Sequence, residues 1–469
     1  MSTEQTLGGV QLPVIERELP PKRPAPAVTL TAALLGFALI CLDASVVNVA
    51  LPSIGASLDG GMSGLQWVVD AYTLPFAALM LSTGAFSDRA GASRAYALGT
   101  AVFTLASVAC GLAPGLPALI GARVVQGVAA AVVLPASLAL VRQAYADPGR
   151  RARAVAVWAA GGSVAVALGP VAGGLLTTAW DWRAIFFVNV PVGAAILLLA
   201  ARAPRSERRP APLDLAGQAT AVVSLTALTF AVIERGPAGW AALVVAVAAA
   251  AAFLRIESRG AHPVVPLTLF RDRTVAVTVA AGAAVSVAFY SMVFVFSLFF
   301  QQVQGRSPLF AGLLFLPMTG LIAVTNVVAG KLAGRYGARL PMTVGQALAA
   351  VALLVLLYVD AGTPPALVAV LLIPLALGCA LTVPPLTAAM MDAVPAERAG
   401  VAAGLLNAAR QVSGGLGIAV FGGLVADDFE SGMRLSLLVG AALLAATAAL
   451  SSRLAGPPAS WGGTRRGRR

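Results

Sequence analysis

The segment VTLTAALLGFALICLDASVVNVALP, residues 28–52, decides the kind of fold that this chain adopts. It is 25 residues long and contains a single charged side chain, Asp43. A helix of about 20 apolar residues crosses the hydrocarbon core of a bilayer. Because no water is available at that depth, the backbone groups must bond to one another, which favours a helix. The segment therefore predicts a transmembrane α-helix.

Similar apolar blocks recur along the whole chain. Hydrophobic residues make up 59% of the 469 residues, charged residues only 11%, and the mean hydropathy is +0.87. Soluble domains carry about 25% charged residues, so this composition excludes a soluble fold. We predict an all-α membrane protein with fourteen transmembrane helices, at 28–52, 65–86, 95–113, 117–142, 153–177, 184–201, 213–233, 238–255, 274–301, 309–329, 341–359, 365–386, 399–424 and 433–452.

The chain is basic, with a formal net charge of +12, and the positions of its basic residues indicate an orientation. With the N-terminus in the cytoplasm, 26 of the 32 Lys and Arg residues fall in cytoplasmic segments and four on the opposite side. Such an excess is typical of short cytoplasmic loops. We therefore expect a multi-pass protein of the plasma (inner) membrane with both termini in the cytoplasm. The lipid bilayer, and no nucleic acid, is the partner that this charge distribution predicts.

An internal repeat divides the chain. GAFSDRAG (84–91) recurs as GKLAGRYG (330–337), and ADPGRRA (146–152) recurs as AVPAERA (393–399), at offsets of 246 and 247 residues. Duplicated halves are a common plan for transporters. The repeat predicts a 6+2+6 arrangement with a tail at 1–27, an N-terminal six-helix half at 28–201, a linker with two inserted helices at 202–273, a C-terminal half at 274–454 and a basic tail at 455–469.

Seven motifs in order along the chain carry a resemblance to a known family. They are LDASVVNVALPSI (42–54), WVVDAYTL with the following GAFSDRAG (67–74 and 84–91), RVVQG (123–127), GPVAGG (169–174), WRAIFFVNVPVG (182–193), HPVVPLTLF (262–270) and NAARQVSGGLG (407–417). Together they resemble the fourteen-span drug:proton antiporters of the major facilitator superfamily. This chain departs from the family directly after the loop GAFSDRAG. The family has consecutive basic residues after the last glycine of that loop, whereas here Gly91 is followed by Ala92, Ser93 and Arg94.

The resemblance implies a major-facilitator-like fold and a function. It implies a secondary transporter that exports hydrophobic drugs or antibiotics, cationic ones included, in exchange for protons by alternating access. The alternative is a proton-coupled symporter or facilitator for a small metabolite, against which the GPVAGG motif argues because the family associates it with antiport. We expect a monomer, no catalytic residues and no cofactor, with protons as the coupling ion.

Charged residues inside the spans are the first candidates for function, because a charge in the bilayer is costly and tends to mark a pathway. Asp43, Asp70 and Arg123 lie roughly 7–12 Å below the outer surface at 1.5 Å per residue. Burial raises the pKa of a carboxyl, and a nearby arginine lowers it. An Asp43–Arg123 or an Asp70–Arg123 pair that a proton or substrate breaks would couple transport to protons. The alternative is a static ion pair between helices.

The remaining candidates form three sets. A substrate cavity is predicted to involve an arginine in span thirteen and nearby polar and aromatic side chains: Trp67, Tyr290, Phe294, Asn407 and Arg410. The resemblance implies a cytoplasmic gating loop at Gly84, Asp88, Arg89, Gly91 and Arg94, with capping of the next helix as the alternative role for Asp88. It also implies an antiporter motif at Gly169, Pro170, Gly173 and Gly174, whose small residues let helices approach closely.

Cysteine and histidine usage argues against a metal site. Cys41, Cys110 and Cys379 all lie inside apolar blocks without the spacing of metal ligands, so we expect them to be packing residues. His262, in a loop, is the single histidine of the chain. The sequence also has no glycine-rich loop of the kind that binds nucleotide phosphates.

Overall fold

The computed structural model describes residues 26–454 except for 203–205, 207, 209–213, 235, 261–264, 266 and 396–397. These residues are helical, with no strand among them. The α-helices are α1 (Pro26–Leu58), α2 (Met62–Ala90), α3 (Ala92–Gly111), α4 (Leu116–Ala144), α5 (Pro148–Ala179), α6 (Ala184–Phe187), α7 (Asn189–Ala200), α8 (Leu215–Ile233), α9 (Pro237–Arg259), α10 (Arg273–Leu298), α11 (Pro308–Tyr336), α12 (Arg339–Val355), α13 (Pro365–Asp392), α14 (Ala399–Val425) and α15 (Phe429–Ser451). Short helical turns lie at Leu267–Arg271, Phe299–Val303 and Leu356–Tyr358.

The all-α membrane fold is confirmed, but the number of spans is not. Eleven described helices are long and apolar enough to cross a membrane. The two parts of α2, Met62–Met80 and Ser82–Ala90, meet at 67° and bring the number to twelve if they form one span. The other two predicted spans coincide with α3 and with the shorter stretch Ala184–Ala200, which are not among the twelve. Fourteen therefore stays a prediction.

The sixth predicted span, 184–201, is broken into α6 and α7. The break at Val188 comes three residues before Pro191. A proline has no N–H group to donate to the carbonyl four residues earlier, here that of Phe187, so the regular helix is interrupted. As a result α7 begins at Asn189, whose side chain is buried in the protein.

The helices before and after the inserted pair form two groups with the same internal contacts. In the N-terminal group (α1–α7), α1 packs on α5, α4 and α7, and α4 packs on α2 and α3. In the C-terminal group (α10–α15), α10 packs in the same way on α14, α13 and α15, and α13 packs on α11 and α12. The repeated packing agrees with the duplication seen in the sequence.

The inserted pair α8–α9 lies beside the join of the two groups. Its helices pack on each other, and α8 also contacts α2 and α14. Two side chains fasten α8 to α2. Near one end, Ser63 and Trp67 donate hydrogen bonds to Glu234 Oε1 at 2.7 and 3.2 Å. Towards the other end, Gln218 donates to the carbonyl of Ala78 at 2.6 Å.

The two groups are joined at one end of the molecule, which we call the opposite end because it lies away from the start of α1 and the end of α15. Every hydrogen bond between the groups among the described residues involves the halves of α1, α2 and α5 towards this end. Ser297, for example, donates to the carbonyl of Asn48 at 2.9 Å. The hydrogen bonds therefore close the contact between the two groups at the opposite end.

Candidate functional site

Asp43 of α1 and Arg123 of α4 form an ion pair inside the N-terminal group. Arg123 Nη1 lies 2.6 Å from Asp43 Oδ2, and both side chains are buried, at 1% and 0% exposure. Arg123 Nε donates to the carbonyl of Val68 in α2 at 3.1 Å, so the guanidinium connects three helices. Its carbon also lies 4.3 Å from the centre of the Tyr72 ring, a distance typical of a cation–π contact.

Two amides complete this site, which we call the Asp43 cluster (Asp43, Arg123, Gln126 and Asn189). Gln126 and Asn189 both donate to Asp43 Oδ1, at 3.0 and 2.8 Å. Arg123 donates in turn to Gln126 Oε1 at 3.0 Å. Both oxygens of the carboxylate therefore have donors, and its charge is matched by a cation. A buried ion pair is stable only with such additional hydrogen bonds.

Gln126 and Asn189 were absent from the predicted site although both stand in motifs visible in the sequence. Gln126 lies three residues after Arg123 in RVVQG, and residues three apart share one face of a helix. That spacing could have indicated its role. The contact of Asn189 depends on the break before α7, so the sequence alone offers no comparable signal.

Asp70 of α2 has different surroundings. It lies in the contact between α2 and α14, which we call the seam because it joins the two groups. A Cβ on Gly415 of α14 would lie 3.0 Å from Asp70 Oδ1. The Thr73 hydroxyl donates to the same oxygen at 3.2 Å. Asp70 Oδ2 is buried without a hydrogen-bond partner, and the residue is 0% exposed. No Lys or Arg of the described residues forms an ion pair with it.

The structure thus brings together one of the two pairs that the sequence allowed. Arg123 pairs with Asp43, whereas its contact with α2 is to the carbonyl of Val68 rather than to the Asp70 carboxyl. Gln66, four residues before Asp70, crosses the seam and donates to the carbonyl of Ala419 at 2.8 Å. Gln66 is a further residue of the seam that sequence analysis missed.

The predicted cavity residues separate into two places. Arg410, Tyr290 and Asn407 lie around α10 and α14: a Cβ on Gly282 of α10 would lie 3.1 Å from Arg410 Cγ. Phe294 is fully buried in a hydrophobic cluster to which both helix groups contribute. Trp67 instead faces the inserted helix α8, where its ring centre lies 6.1 Å from that of Phe230. Trp67 therefore contacts α8, whereas Arg410, Tyr290 and Asn407 lie around α10 and α14.

The antiporter motif presents two faces of α5. Gly173 faces α1, since a Cβ there would lie 2.5 Å from the carbonyl oxygen of Val46, and Gly169 faces Ser45 of the same helix. Gly174 faces α11, where a Cβ would lie 2.5 Å from the carbonyl oxygen of Pro308.

The contact with α11 is reciprocal. Gly312 of α11 packs against the carbonyl of Pro170, so each helix contributes a glycine that the other approaches. The motif therefore joins α5 to its own group and to the other group at once.

The charged side chains of the predicted gating loop are open to solvent. Asp88, Arg89 and Arg94 are exposed, and the structure gives none of them an ion pair among the described residues. Gly91 has φ +87°, a conformation that favours glycine. The linker packs here, because the Ser206 backbone N–H donates to Ser93 Oγ at 3.0 Å. Ser93 stands where the resembling family has basic residues, so a hydrogen bond to the linker replaces charge at this position.

The described residues contain no group of three or more His, Cys, Asp and Glu side chains that could hold a metal ion. Cys110 lies beside the Asp43 cluster, with its Sγ 3.3 Å from Gln126 Oε1. His262 and, apart from residues 26–27, both predicted tails lie outside the described residues.

Comparisons with known proteins agree with this fold. The sequence model described as Major Facilitator Superfamily matches residues 33–418. The chain is 40% identical over 410 residues to the "Multidrug resistance protein Stp" of Mycobacterium tuberculosis, covering 85% of this chain and 76% of that protein. It is 37% identical to the "Methylenomycin A resistance protein" of Streptomyces coelicolor, covering 89% and 90%.

A solved structure described as a D-xylose-proton symporter matches the fold with a TM-score of 0.68 at 15% identity, covering 92% of this chain and 98% of the other. Identity this low supports the fold and not the substrate. The sequence match, the helix arrangement and the buried charges within the spans agree with one another. The chain belongs to the Major Facilitator Superfamily and is a multi-pass membrane transporter rather than an enzyme.

Proposed function

We propose that this protein exports small hydrophobic molecules, antibiotics among them, in exchange for protons by alternating access. The observation that carries the proposal is Asp70, a buried carboxyl at the seam between the two groups with one oxygen lacking a partner. An isolated charge is very costly in a dry environment, so a group of this kind is accommodated in its neutral form. The closed seam thus suits a protonated Asp70.

Alternating access gives the proton its path. When the seam opens towards the outside, water reaches Asp70 and the carboxyl exchanges protons with that side. Closure of the seam, as in this structure, buries the protonated acid between α2 and Gly415 of α14. Opening to the cytoplasm then allows the proton to leave. The Asp43 cluster has a different role in this scheme, because Arg123 and the two amides donate to both oxygens of Asp43 within one helix group.

The energetics favour a substrate whose export is helped by the membrane potential. One proton falling through one pH unit yields about 1.4 kcal/mol, and 100 mV adds about 2.3 kcal/mol per charge moved. Exchange of one proton for a monocation moves no net charge, so only the pH gradient drives it. With Asp70 as the coupling acid, a neutral or anionic substrate also draws on the potential.

The remaining expectations belong to the same proposal. The protein lies in the plasma (inner) membrane with both termini in the cytoplasm. It acts as a monomer, with protons as the coupling ion and no cofactor. The 6+2+6 organisation has the boundaries 1–27, 28–201, 202–273, 274–454 and 455–469. Support comes from the charge bias of the loops and from the names of the relatives, which describe drug and antibiotic resistance.

The test is expression in a host that lacks its own drug exporters, with growth measured against a panel of antibiotics and dyes. We expect resistance to some of these compounds, lost when a protonophore is added and lost in the Asp70→Asn variant. Resistance that survives the protonophore contradicts proton coupling. Increased sensitivity, with inward accumulation of a compound, supports the symporter alternative instead.

A further inference from the structure

Arg410 is an arginine inside a membrane helix that no other side chain neutralises. It lies in the middle of α14, is partly buried, and forms no ion pair or hydrogen bond with any described residue. Its Nε atom is fully buried without a partner. A charge at this depth is costly, and nothing in the packing of the protein explains why it is there.

Arg123 shows which partners a buried structural arginine has in the same protein. Arg123 has a carboxylate, an amide and a backbone carbonyl as partners. Arg410 has none of these, although its guanidinium carries five N–H donors that suit planar carboxylates and phosphates. Arg410 is therefore equipped to bind an acidic group that comes from outside the chain.

Arg410 lies on the side of α14 that faces α10. It stands five residues before Gly415, about 7.5 Å along α14 towards the terminal end and about 140° around the helix, so it faces α10 where Gly415 faces α2. Asn407, one turn earlier on the same face of α14, is exposed. Tyr290 packs against Gly414 one turn later, close enough to Arg410 to interact with it electrostatically.

We infer that Arg410 binds the acidic group of the exported substrate, which makes amphipathic organic acids the substrate class of this transporter. The apolar and aromatic surface around Tyr290 accommodates the hydrophobic body of the substrate. This inference rests on the proposed function and narrows its substrates from hydrophobic molecules, cationic ones included, to organic acids. No acidic side chain of the described residues forms an ion pair with Arg410, so the bare guanidinium makes this site positive, and it attracts an anion and repels a cation.

Charge movement agrees with this choice. A proton that enters while an organic anion leaves carries positive charge inward in both steps. The membrane potential then drives both halves of the exchange, whereas it would oppose the export of a cation. One coupling acid is therefore enough for strong export of an acid.

The test compares two dyes with the same aromatic core, rhodamine 110, which has a free carboxylate, and rhodamine 123, its methyl ester. Inverted membrane vesicles with an acidic interior take up each dye by pH-driven export, and KM is measured for both. We expect wild type to have the lower KM for rhodamine 110. The Arg410→Gln variant should raise that KM about tenfold, the loss of one charge-assisted contact, and should not raise the KM for the cationic rhodamine 123.

Two further variants control for charge and folding. Arg410→Lys keeps the positive charge and should restore much of the preference for rhodamine 110. Arg434→Gln removes the same charge from an exposed pair with Glu430 and should change neither KM. Arg410→Gln loses no bond within the chain, so its thermal stability should equal that of wild type.

The outcomes separate this inference from the proposed function. A lower KM for rhodamine 123 in wild type, or an equal effect of Arg410→Gln on both dyes, overturns the inference. So does the absence of both dyes from vesicles that accumulate another compound of the antibiotic panel. If no compound at all enters the vesicles when the pH gradient is applied, the proposed proton-driven export is itself contradicted.

Discussion

The Asp43 cluster and the seam each contain a buried aspartate, and α2 contributes to both. The two carboxyl groups nevertheless have opposite surroundings. In the cluster, Arg123 and two amides donate to both oxygens of Asp43. At the seam, Asp70 has one hydroxyl donor and one oxygen without a partner. Arg410, the cation closest to the seam along α14, is also unpaired. Asp70 and Arg410 therefore lie on neighbouring helices without forming an ion pair, whereas Asp43 and Arg123 do form one.

This difference indicates a division of labour. The cluster lies within one helix group, so its contacts need not break when the two groups move. The seam lies between the groups, and its charges are free to take a proton or a ligand when the interface opens. Buried charges that are left unsatisfied are expensive, and they persist where function requires them.

The same isosteric change at the two aspartates gives the sharpest test, and Asp43→Asn should have the larger effect. It leaves Arg123 buried without a countercharge, a loss of about 3–5 kcal/mol. We expect a clearly lowered Tm in detergent and no transport. The double variant Asp43→Asn with Arg123→Gln, which removes both charges, should recover part of the stability. An unchanged Tm in Asp43→Asn would show that the cluster does not hold the group together.

Asp70→Asn should abolish pH-driven transport while leaving the fold intact. The amide resembles the protonated acid and disturbs one hydrogen bond, worth about 1 kcal/mol. We expect a Tm close to that of wild type and no accumulation of substrate in vesicles when a pH gradient is applied. Full pH-driven uptake by this variant would show that Asp70 takes no part in proton coupling. The difference between the surroundings of Asp43 and Asp70 would then have no functional consequence.

Gly174→Ala tests whether the join between the groups at the opposite end must be tight. The added methyl group would meet the backbone of Pro308 and Leu309, which cannot move aside cheaply, at a cost of about 1–3 kcal/mol. We expect the join to open more often and transport to fall in part.

The measurement is the labelling rate of a cysteine placed at the buried Ser297 by a reagent that cannot cross the membrane. A faster rate in Gly174→Ala supports the prediction. Gly121→Ala is the matched control, because a Cβ there meets nothing within 4 Å. Equal labelling in both variants would mean that α5 and α11 do not limit the opening.

Glu234→Gln should have the smallest effect. It weakens the contact by which Ser63 and Trp67 fasten α8 to α2. Removing the charge from this partly exposed acceptor should lower stability by about 1 kcal/mol or less. Thermal unfolding and vesicle transport measure the result. If α8 supports the seam, pH-driven transport falls slightly. A loss as complete as in Asp70→Asn would instead place the inserted pair in the coupling mechanism.

The sequence was a good guide to the class of fold because the signals for it are local. Apolar blocks of membrane length depend on neighbouring residues only, and they led to the confirmed all-α membrane fold. The number of spans does not follow from such signals where a helix departs from a long apolar rod. This is the case for the more polar α3, the bent α2 and the short stretch Ala184–Ala200.

The candidate site was predictable in its members more than in its connections. Asp43, Asp70, Arg123 and Arg410 stand out in the sequence because charges are rare in apolar blocks. Gln126, Asn189 and Gln66 were missed because uncharged polar residues are common in transporters and only their partners distinguish them. The placement of Trp67 against the inserted helix α8 was equally invisible in the sequence.

By itself the sequence determined that this chain lies in a membrane and that a few charges are buried, and it predicted a duplicated unit. Only the tertiary structure decided that Arg123 pairs with Asp43 and that Asp70 and Arg410 have no partner. The physical reason is that a partner is chosen by the rotation and axial shift of one helix against another. A change of one residue moves a side chain by 1.5 Å and about 100° around its helix, and the sequence carries no direct record of that register.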